Sequence, residues 1–246
     1  MARWRQLGEL WLLEPSGACN GTLQFIGGSY LAATPQLSYR RLLESLARRH
    51  WRILAWSYVP GFDHQAQANA AWRQFRLQRQ STAGPLLRLG HSLGCKLHLL
   101  APDGGRACDG LVALSFNNFS AERSVPLLAE LGQQFQFRSE FSPSPEQTLE
   151  LVGRSYGQPR NLLVRFNRDE LDQSARLLGA LHQRPQDRSQ LLELPGDHLT
   201  PASAGLRRQL LGNWADDPSR QRAVEQLAEA IGHWSRQPSN QSTGQQ

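Results

Sequence analysis

A serine lies between two glycines in the stretch "RLGHSLGCKLHLL", where Gly90 and Gly94 stand two residues before and two residues after Ser92. Small residues at these places let the backbone turn sharply from a strand into a helix and expose the hydroxyl. An apolar run over 85–89 precedes the turn, and a helical pattern follows it. The pattern predicts a nucleophile at Ser92; the alternative is a tight turn without chemistry.

A serine hydroxyl is a weak nucleophile near neutral pH, so it needs a base that takes its proton. Where such a turn carries a catalytic serine, a carboxylate and then a histidine follow along the chain. His198 lies in "LPGDHLTP", a loop directly after the last predicted strand. The other histidines after Ser92 fall within predicted helices: His98, His182 and His233. We therefore predict His198 as the base, against a histidine of an ordinary turn.

Carboxylates that could orient this base follow the preceding predicted strand in "NLLVRFNRDELDQS". Asp169 comes directly after that strand, and Asp172 lies three residues later, near the first turn of a helix. Either side chain could instead cap the helix, which stabilises it by up to about 1 kcal/mol. We favour Asp169 as the acid and keep Asp172 as the alternative.

The oxyanion formed when a serine attacks a carbonyl needs backbone N–H donors aimed at it. One donor is predicted at Leu93, the residue after the nucleophile. The second is expected in the loop after "TLQFIGG", where Gly27 and Gly28 allow close approach of the backbone, and we choose Gly28. A glycine pair in an ordinary turn is the alternative.

Elements that could position these residues alternate along the chain. Runs of strand length alternate with longer segments of helical period, which is typical of βαβ units and an α/β fold with a mostly parallel sheet and helices on both faces. The predicted strands are "LWLLEP", "TLQFIGG", "HWRILAWSY", "PLLRLGHSLG", "DGLVALSFNN", "NLLVRFN" and "SQLLELPG". The main predicted helices are "PQLSYRRLLESLARR", "FDHQAQANAAWRQFRLQRQ" with Asp63 as N-cap, "LGCKLHLLAP" and "DELDQSARLLGALHQ".

One stretch departs from the alternation. Residues 119–160 contain several prolines and the segment "FQFRSEF" without a clear strand, so we predict an insertion that forms a lid. The core is then predicted to comprise 1–118 and 161–236, and the polar residues 237–246 are predicted to be a disordered tail.

Composition limits the class of protein. The chain has 246 residues, 39% of them hydrophobic, which is typical of a globular protein. No run approaches a membrane span, the N-terminus lacks a secretory signal, and the three cysteines have no close pair spacing, so we expect a cytoplasmic protein. The net charge of +6 comes from scattered arginines without a basic block interleaved with aromatics, which gives little support to nucleic-acid binding.

Cofactor motifs are not found in the sequence. It has no zinc-type spacing, no phosphate-binding glycine loop and no dinucleotide fingerprint, so we predict neither a metal nor a nucleotide cofactor. Lys96 is the only lysine, and we expect it to be solvated or paired with a carboxylate.

Several of these segments together resemble a known family. The strand end "FIGG", the turn "GHSLGCKLHLL", the strand end "SFNNF" and the segments "FNRDELDQS" and "LPGDHLTP" are similar to an uncharacterised α/β-hydrolase-like family of cyanobacteria and plastids. The resemblance extends to about residue 205. It implies an α/β-hydrolase fold and a source among photosynthetic prokaryotes, and it implies no substrate.

The sequence thus predicts a serine hydrolase that cleaves an ester, a thioester or an amide through an acyl-enzyme, without a cofactor. We expect a small-molecule or lipid-like acyl substrate and leave the oligomeric state open. The alternative is a non-catalytic binding or scaffold protein on the same fold, because a fold does not fix a function.

Overall fold

The computed structural model describes residues 3–78, 84–121, 140–202 and 218–237. Its centre is a sheet of eight strands in the order β1-β2-β4-β3-β5-β6-β7-β8. The strands are β1 Trp4–Leu7, β2 Leu10–Leu13, β3 Gly21–Ile26, β4 Trp51–Trp56, β5 Leu86–His91, β6 Gly110–Leu114, β7 Asn161–Phe166 and β8 Gln190–Leu194. β1 and β2 are antiparallel to their neighbours, and the strands from β3 to β8 pair in parallel.

The predicted α/β fold with a mostly parallel sheet is confirmed. Each of the seven predicted strands is present, and β1 is an additional strand that the sequence pattern does not indicate. Because the strands from β3 to β8 run in one direction, their carboxyl ends meet at one edge of the sheet, where ligands bind in folds of this class. The loops after β5, β7 and β8 all leave from that edge.

Helices cover both faces of the sheet. They are α1 Pro35–Ser38, α2 Arg40–Arg48, α3 His64–Leu77, α4 Leu93–Leu99, α5 Pro145–Ser155, α6 Ser174–His182 and α7 Pro218–Arg236, with a 3₁₀ turn at Ser29–Leu31. The apolar residues of α2 and α7 pack on one face, and those of α3, α4, α5 and α6 pack on the other. Asp63 caps α3 as predicted, since its carboxylate accepts a hydrogen bond from Ala66 N at 2.8 Å. Among the described residues, no helix is long and apolar enough to cross a bilayer.

The helix predicted over "PQLSYRRLLESLARR" is divided in two by Tyr39. This residue leaves the helical region, at φ −122° and ψ 18°, between α1 and α2. Its side chain is fully buried and packs edge-to-face on Phe25 of β3, with ring centroids 4.6 Å apart. The break therefore places a phenol beneath the loop that follows β3.

The segment 119–160, for which the sequence predicts a lid, contains helix α5. Helix α5 begins with a capping box at Ser144 and belongs to the core, because Val152 and Tyr156 are buried against Leu163 of β7 and Leu177 of α6. An apolar stripe of helical period keeps such a helix against the sheet. Residues 122–139 of the predicted lid and 238–246 of the predicted tail lie outside the described residues.

The close approach of Gly94 to β3 predicts a strong effect of a small substitution. A Cβ on Gly94 would overlap the carbonyl of Ile26, so Gly94→Ala should destabilise the protein by about 3 kcal/mol, the upper part of the usual range for overpacking. In a chain of this size that lowers the melting temperature by about 6 to 12 °C.

Gly179→Ala is the matched control for this measurement. Gly179 is exposed on α6, and a Cβ added there would meet no described atom within 4 Å, so alanine should raise stability by about 0.5 to 1 kcal/mol. Equal melting temperatures of the two variants would contradict the tight approach at Gly94.

Candidate active site

Ser92 occupies the turn between β5 and α4 in a conformation that residues with side chains rarely adopt, at φ 54° and ψ −120°. Its N–H donates to the carbonyl of Leu114 on β6 at 2.9 Å, which fixes the turn on the neighbouring strand. A Cβ on Gly90 would lie 2.6 Å from the backbone nitrogen of Cys95, and one on Gly94 would overlap Ile26. The two glycines therefore allow the sharp turn from strand to helix that the sequence pattern predicts. Ser92 is partly exposed at the carboxyl end of β5.

Asp169 and His198 meet in the structure. Nδ1 of His198 lies 2.9 Å and 3.1 Å from the two carboxylate oxygens of Asp169. The carboxylate is fully buried and the ring is 17% exposed. Burial alone would raise the pKa of Asp169, but the hydrogen bond and charge of His198 outweigh it and hold the pKa below its usual value.

The loops that carry this pair are tied to each other. They follow adjacent strands, β7 and β8, and Asn167 Oδ1 accepts a hydrogen bond from Gly196 N at 3.1 Å. The N–H of Arg168 donates to the carbonyl of Gly196 at 3.0 Å. Asp197 binds Arg220 of α7 at 2.7 Å, which anchors the loop to a helix. Backbone and side-chain contacts therefore fix the approach of His198 to Asp169.

Asp172, the alternative acid, serves the chain locally. Its carboxylate accepts hydrogen bonds from the N–H and the hydroxyl of Ser174, at 2.9 Å and 2.7 Å, at the start of α6. Burial raises the pKa of Asp172 despite these bonds. The two carboxylates thus differ in environment: Asp169 faces an imidazole, and Asp172 faces a helix end.

His198 also lies beside the serine turn. Its ring centroid is 5.1 Å from that of His91, the residue before Ser92, and its carbonyl accepts a hydrogen bond from His91 Nε2 at 2.8 Å. Within the described part of the chain, no hydrogen bond joins Ser92 Oγ to His198 Nε2. Such bonds are often long in ligand-free enzymes and tighten only with substrate.

The sequence predicts two backbone amides that face an oxyanion. Leu93 is the first residue of α4, so its N–H has no acceptor within the helix. The Gly28 amide is already engaged, since it donates to the hydroxyl of Tyr39 at 2.8 Å. The next amide, that of Ser29, begins a 3₁₀ turn and has no acceptor among the described residues. The predicted glycine thus lies beside Ser92, but its own N–H points to Tyr39.

Two buried tyrosines around the glycine loop are not identified from the sequence. Tyr58 donates its hydroxyl to the carbonyl of Gly27 at 3.0 Å, while Tyr39 binds the amide of Gly28. Tyr39 also lies 2.8 Å from Nδ1 of His91. Single aromatic residues carry no spacing signal that relates them to a loop elsewhere in the chain.

In contrast to the expectation, Lys96 is not solvated and forms no ion pair with a carboxylate of the described residues. It is 1% exposed on α4 and donates to the carbonyl of Pro143 at 3.0 Å. Burial lowers the pKa of its ammonium to about 8, against the charges of Glu140 and Glu146. Lys96 thus fastens the chain before α5 to the helix that follows Ser92.

Solved structures of α/β hydrolases share this architecture. The monoacylglycerol lipase of Paleococcus ferrophilus is 15% identical with a TM-score of 0.59, over 92% of this chain and 98% of that chain. The thioesterase domain from the curacin biosynthetic pathway is 13% identical with a TM-score of 0.56, over 94% and 98%. XC6422 from Xanthomonas campestris, described as an a/b serine hydrolase without lid, is 13% identical with a TM-score of 0.56, over 96% and 93%.

These similarities establish the fold, which is that of the α/β hydrolases. No curated protein matches the chain. One family model covers residues 3–235, which is most of the sequence. The chain therefore belongs to the family described as "Protein of unknown function (DUF1350)".

Proposed function

We propose that the protein is a serine hydrolase that cleaves a carboxylic ester or thioester through an acyl-enzyme. The observation that carries this proposal is the buried Asp169–His198 pair, held on loops beside the strained turn of Ser92. Esterases, lipases and thioesterases among the structural neighbours support hydrolysis at the level of the fold. The strain at Ser92 is consistent with function, since such conformations persist where the surroundings enforce them.

The reaction uses His198 as a base and then as an acid. Oγ of Ser92 attacks the substrate carbonyl while Nε2 of His198 takes the hydroxyl proton, which gives a tetrahedral oxyanion. The same proton passes to the leaving alcohol or thiol as the acyl-enzyme forms. Water then attacks the acyl group, transfers a proton to Nε2, and the carboxylic acid leaves as Oγ recovers its proton.

Asp169 determines which ring nitrogen of His198 can act. A carboxylate 2.9 Å from Nδ1 accepts a hydrogen bond from the Nδ1–H group, so the proton stays on Nδ1 and Nε2 carries the lone pair. Its negative charge also stabilises the imidazolium that forms during attack. The lowered pKa of Asp169 keeps it ionised for this purpose.

The oxyanion is held by the amides of Leu93 and Ser29 in this mechanism. Leu93 keeps the assignment made from the sequence. Ser29 replaces Gly28 as the second donor, because the Gly28 amide is bound by Tyr39 and the Ser29 amide is not engaged among the described residues. A donor of this kind contributes about 3 to 4 kcal/mol to transition-state binding.

Exposed apolar side chains at the catalytic edge support an apolar acyl substrate. Most of the exposed large hydrophobic residues of the described chain lie in loops after β3, β4, β7 and β8: Tyr30, Val59, Phe62, Leu171 and Leu199. These loops leave the same edge of the sheet as the loops that carry Ser92 and His198, so their apolar side chains are available to a substrate there. We propose that this rim, defined by those residues, receives the acyl chain.

A fluorophosphonate probe tests the proposed function. The probe should react with Ser92 in the wild-type protein, because it forms a stable tetrahedral adduct with an activated serine, and Ser92→Ala should abolish labelling. Ser155→Ala, at an exposed position at the end of α5, should be labelled as the wild type is. Folded wild-type protein that remains unlabelled would overturn the enzyme and favour a binding protein.

Substitution of each of the two aspartates tests which carboxylate orients His198. Asp169→Asn should lower kcat about 10⁴-fold, because an amide that donates to Nδ1 stabilises the wrong tautomer of His198. Asp172→Asn should change kcat less than about 3-fold, since the amide oxygen of asparagine can still accept a hydrogen bond from Ser174 at the start of α6. Both are measured as steady-state ester hydrolysis, with circular dichroism to verify folding. A larger loss in Asp172→Asn would reverse the assignment.

Chain-length preference tests the apolar rim. Val59→Ser should raise KM for an octanoyl ester about 3- to 10-fold relative to an acetyl ester, which corresponds to about 1 kcal/mol of lost apolar contact. Leu77→Ser is the control, because Leu77 is 75% exposed, close to the 80% of Val59, and lies at the far end of α3. Equal effects of the two changes would contradict the role of the rim.

A further inference from the structure

We propose that His91 and Tyr39 form a positioning clamp that joins the serine turn to the glycine loop on one side and to the His198 loop on the other. This inference rests on the proposed function for its catalytic consequence. His91 and Tyr39 do not touch the reacting atoms in this account. They act through the backbone of Gly28 and of His198.

Four groups form a continuous chain of hydrogen bonds. The amide of Gly28 donates to the hydroxyl of Tyr39 at 2.8 Å, and that hydroxyl lies 2.8 Å from Nδ1 of His91. Nε2 of His91 lies 2.8 Å from the carbonyl oxygen of His198. The chain of hydrogen bonds therefore passes through the residue that precedes Ser92.

The chemistry of the partners fixes every proton in this chain. A carbonyl oxygen can only accept, so Nε2 of His91 must donate to His198. Nδ1 of a neutral His91 then carries the lone pair, and the hydroxyl of Tyr39 must donate to it. The phenolic oxygen keeps a lone pair for the amide of Gly28. Each donor meets one acceptor, so the four groups satisfy one another.

Burial keeps His91 neutral, which this arrangement requires. The ring is 1% exposed, and burial together with the charge of His198 lowers the pKa of His91 to about 3. Burial also raises the pKa of Tyr39, so the phenol keeps its proton. Among the described residues, the charged and titratable groups that face His91 are the catalytic pair and this phenol: His198, Asp169 and Tyr39.

The clamp fixes the orientation of the peptide at Gly28, which precedes the proposed oxyanion donor, the amide of Ser29. With the Gly28 amide fixed by Tyr39 and the Gly27 carbonyl fixed by Tyr58, the loop enters its 3₁₀ turn at Ser29 in one orientation. A Cβ on Gly28 would lie 3.1 Å from both Cβ of Ser92 and Nδ1 of His91. The loop thus rests against the serine turn without free space, and a shift of the clamp must move the Ser29 amide.

An apolar side chain in place of His91 would fill the same volume but would join neither loop. Removal of one partner leaves a buried polar group unsatisfied, which is costly, so the loops would move to recover hydrogen bonds. Displacement of catalytic groups by about 1 Å can reduce rates about 10²-fold. The clamp therefore predicts losses in the chemical step without a comparable loss of substrate binding.

Two substitutions of His91 test separately its hydrogen bonds with Tyr39 and with His198. His91→Gln keeps an N–H donor near the place of Nε2 and loses the acceptor for Tyr39, whereas His91→Asn keeps an acceptor near Nδ1 and loses the donor to His198. Hydrogen–deuterium exchange followed by mass spectrometry should show faster exchange in the glycine loop, residues 27–31, for Gln. For Asn, the faster exchange should appear in the His198 loop, residues 195–200. Unchanged exchange in both loops would overturn the clamp.

Tyr39→Phe tests the phenol with the ring contact to Phe25 retained. The rate of Ser92 labelling and kcat for an activated ester should fall about 10- to 100-fold, KM should change less than about 3-fold, and exchange in residues 27–31 should rise. Controls are Tyr156→Phe, which removes a buried hydroxyl bound to Asn161, and His98→Gln, which changes a buried histidine of α4. Losses of similar size in the controls would show a general effect of stability and overturn the clamp.

The two proposals fail in different ways. Wild-type protein that is not labelled at Ser92, but whose loops respond to the His91 and Tyr39 variants as described, refutes the hydrolase and keeps the clamp. Wild-type protein that is labelled, but whose loops and kcat are unaffected by Tyr39→Phe, keeps the hydrolase and refutes the clamp.

Discussion

The backbone of Ser92 is held at φ 54° and ψ −120°, and this turn requires β3, β5 and α4 to approach more closely than side chains would allow. Gly90 and Gly94 make that approach possible, with Gly94 against the carbonyl of Ile26. The hydrogen bond from Ser92 N to Leu114 adds the neighbouring strand to the constraint. The position of Ser92 at the carboxyl end of β5 and the direction of α4 both depend on the close approach of Gly94 to Ile26.

Polar groups around the turn are buried in matched pairs. The carboxylate of Asp169 would be costly to bury alone, and His198 compensates for it; the Gly28 amide meets a phenol, and the His198 carbonyl meets an imidazole. The glycine loop and the two loops that carry Asp169 and His198 are therefore each fixed by at least one such hydrogen bond. Catalytic groups of acyl-transfer enzymes need fixed donors of this kind, because reorganisation during the reaction reduces their effect.

The periodicity of apolar residues and the order of the segments along the chain are sufficient to predict the fold and the contact between Asp169 and His198. The parallel sheet follows from the alternation of elements, and residues after neighbouring strands meet at one edge. The direction of a single amide does not follow from a sequence pattern, so the pattern favours Gly28, whereas Ser29 has the N–H that is not engaged among the described residues. The roles of Tyr39 and Lys96 depend on contacts far apart in sequence, which local patterns do not encode, whereas the capping box at Ser144 is a local signal for α5.

The most direct measurement is peptide mass spectrometry of the protein quenched in acid during turnover of p-nitrophenyl butyrate. One butyryl group per chain is expected on the peptide that contains Ser92, formed in a burst before the steady state, because attack on an activated ester precedes slower hydrolysis. Product released by the folded Ser92→Ala protein at the wild-type rate, or a butyryl group on another residue during turnover, would contradict it.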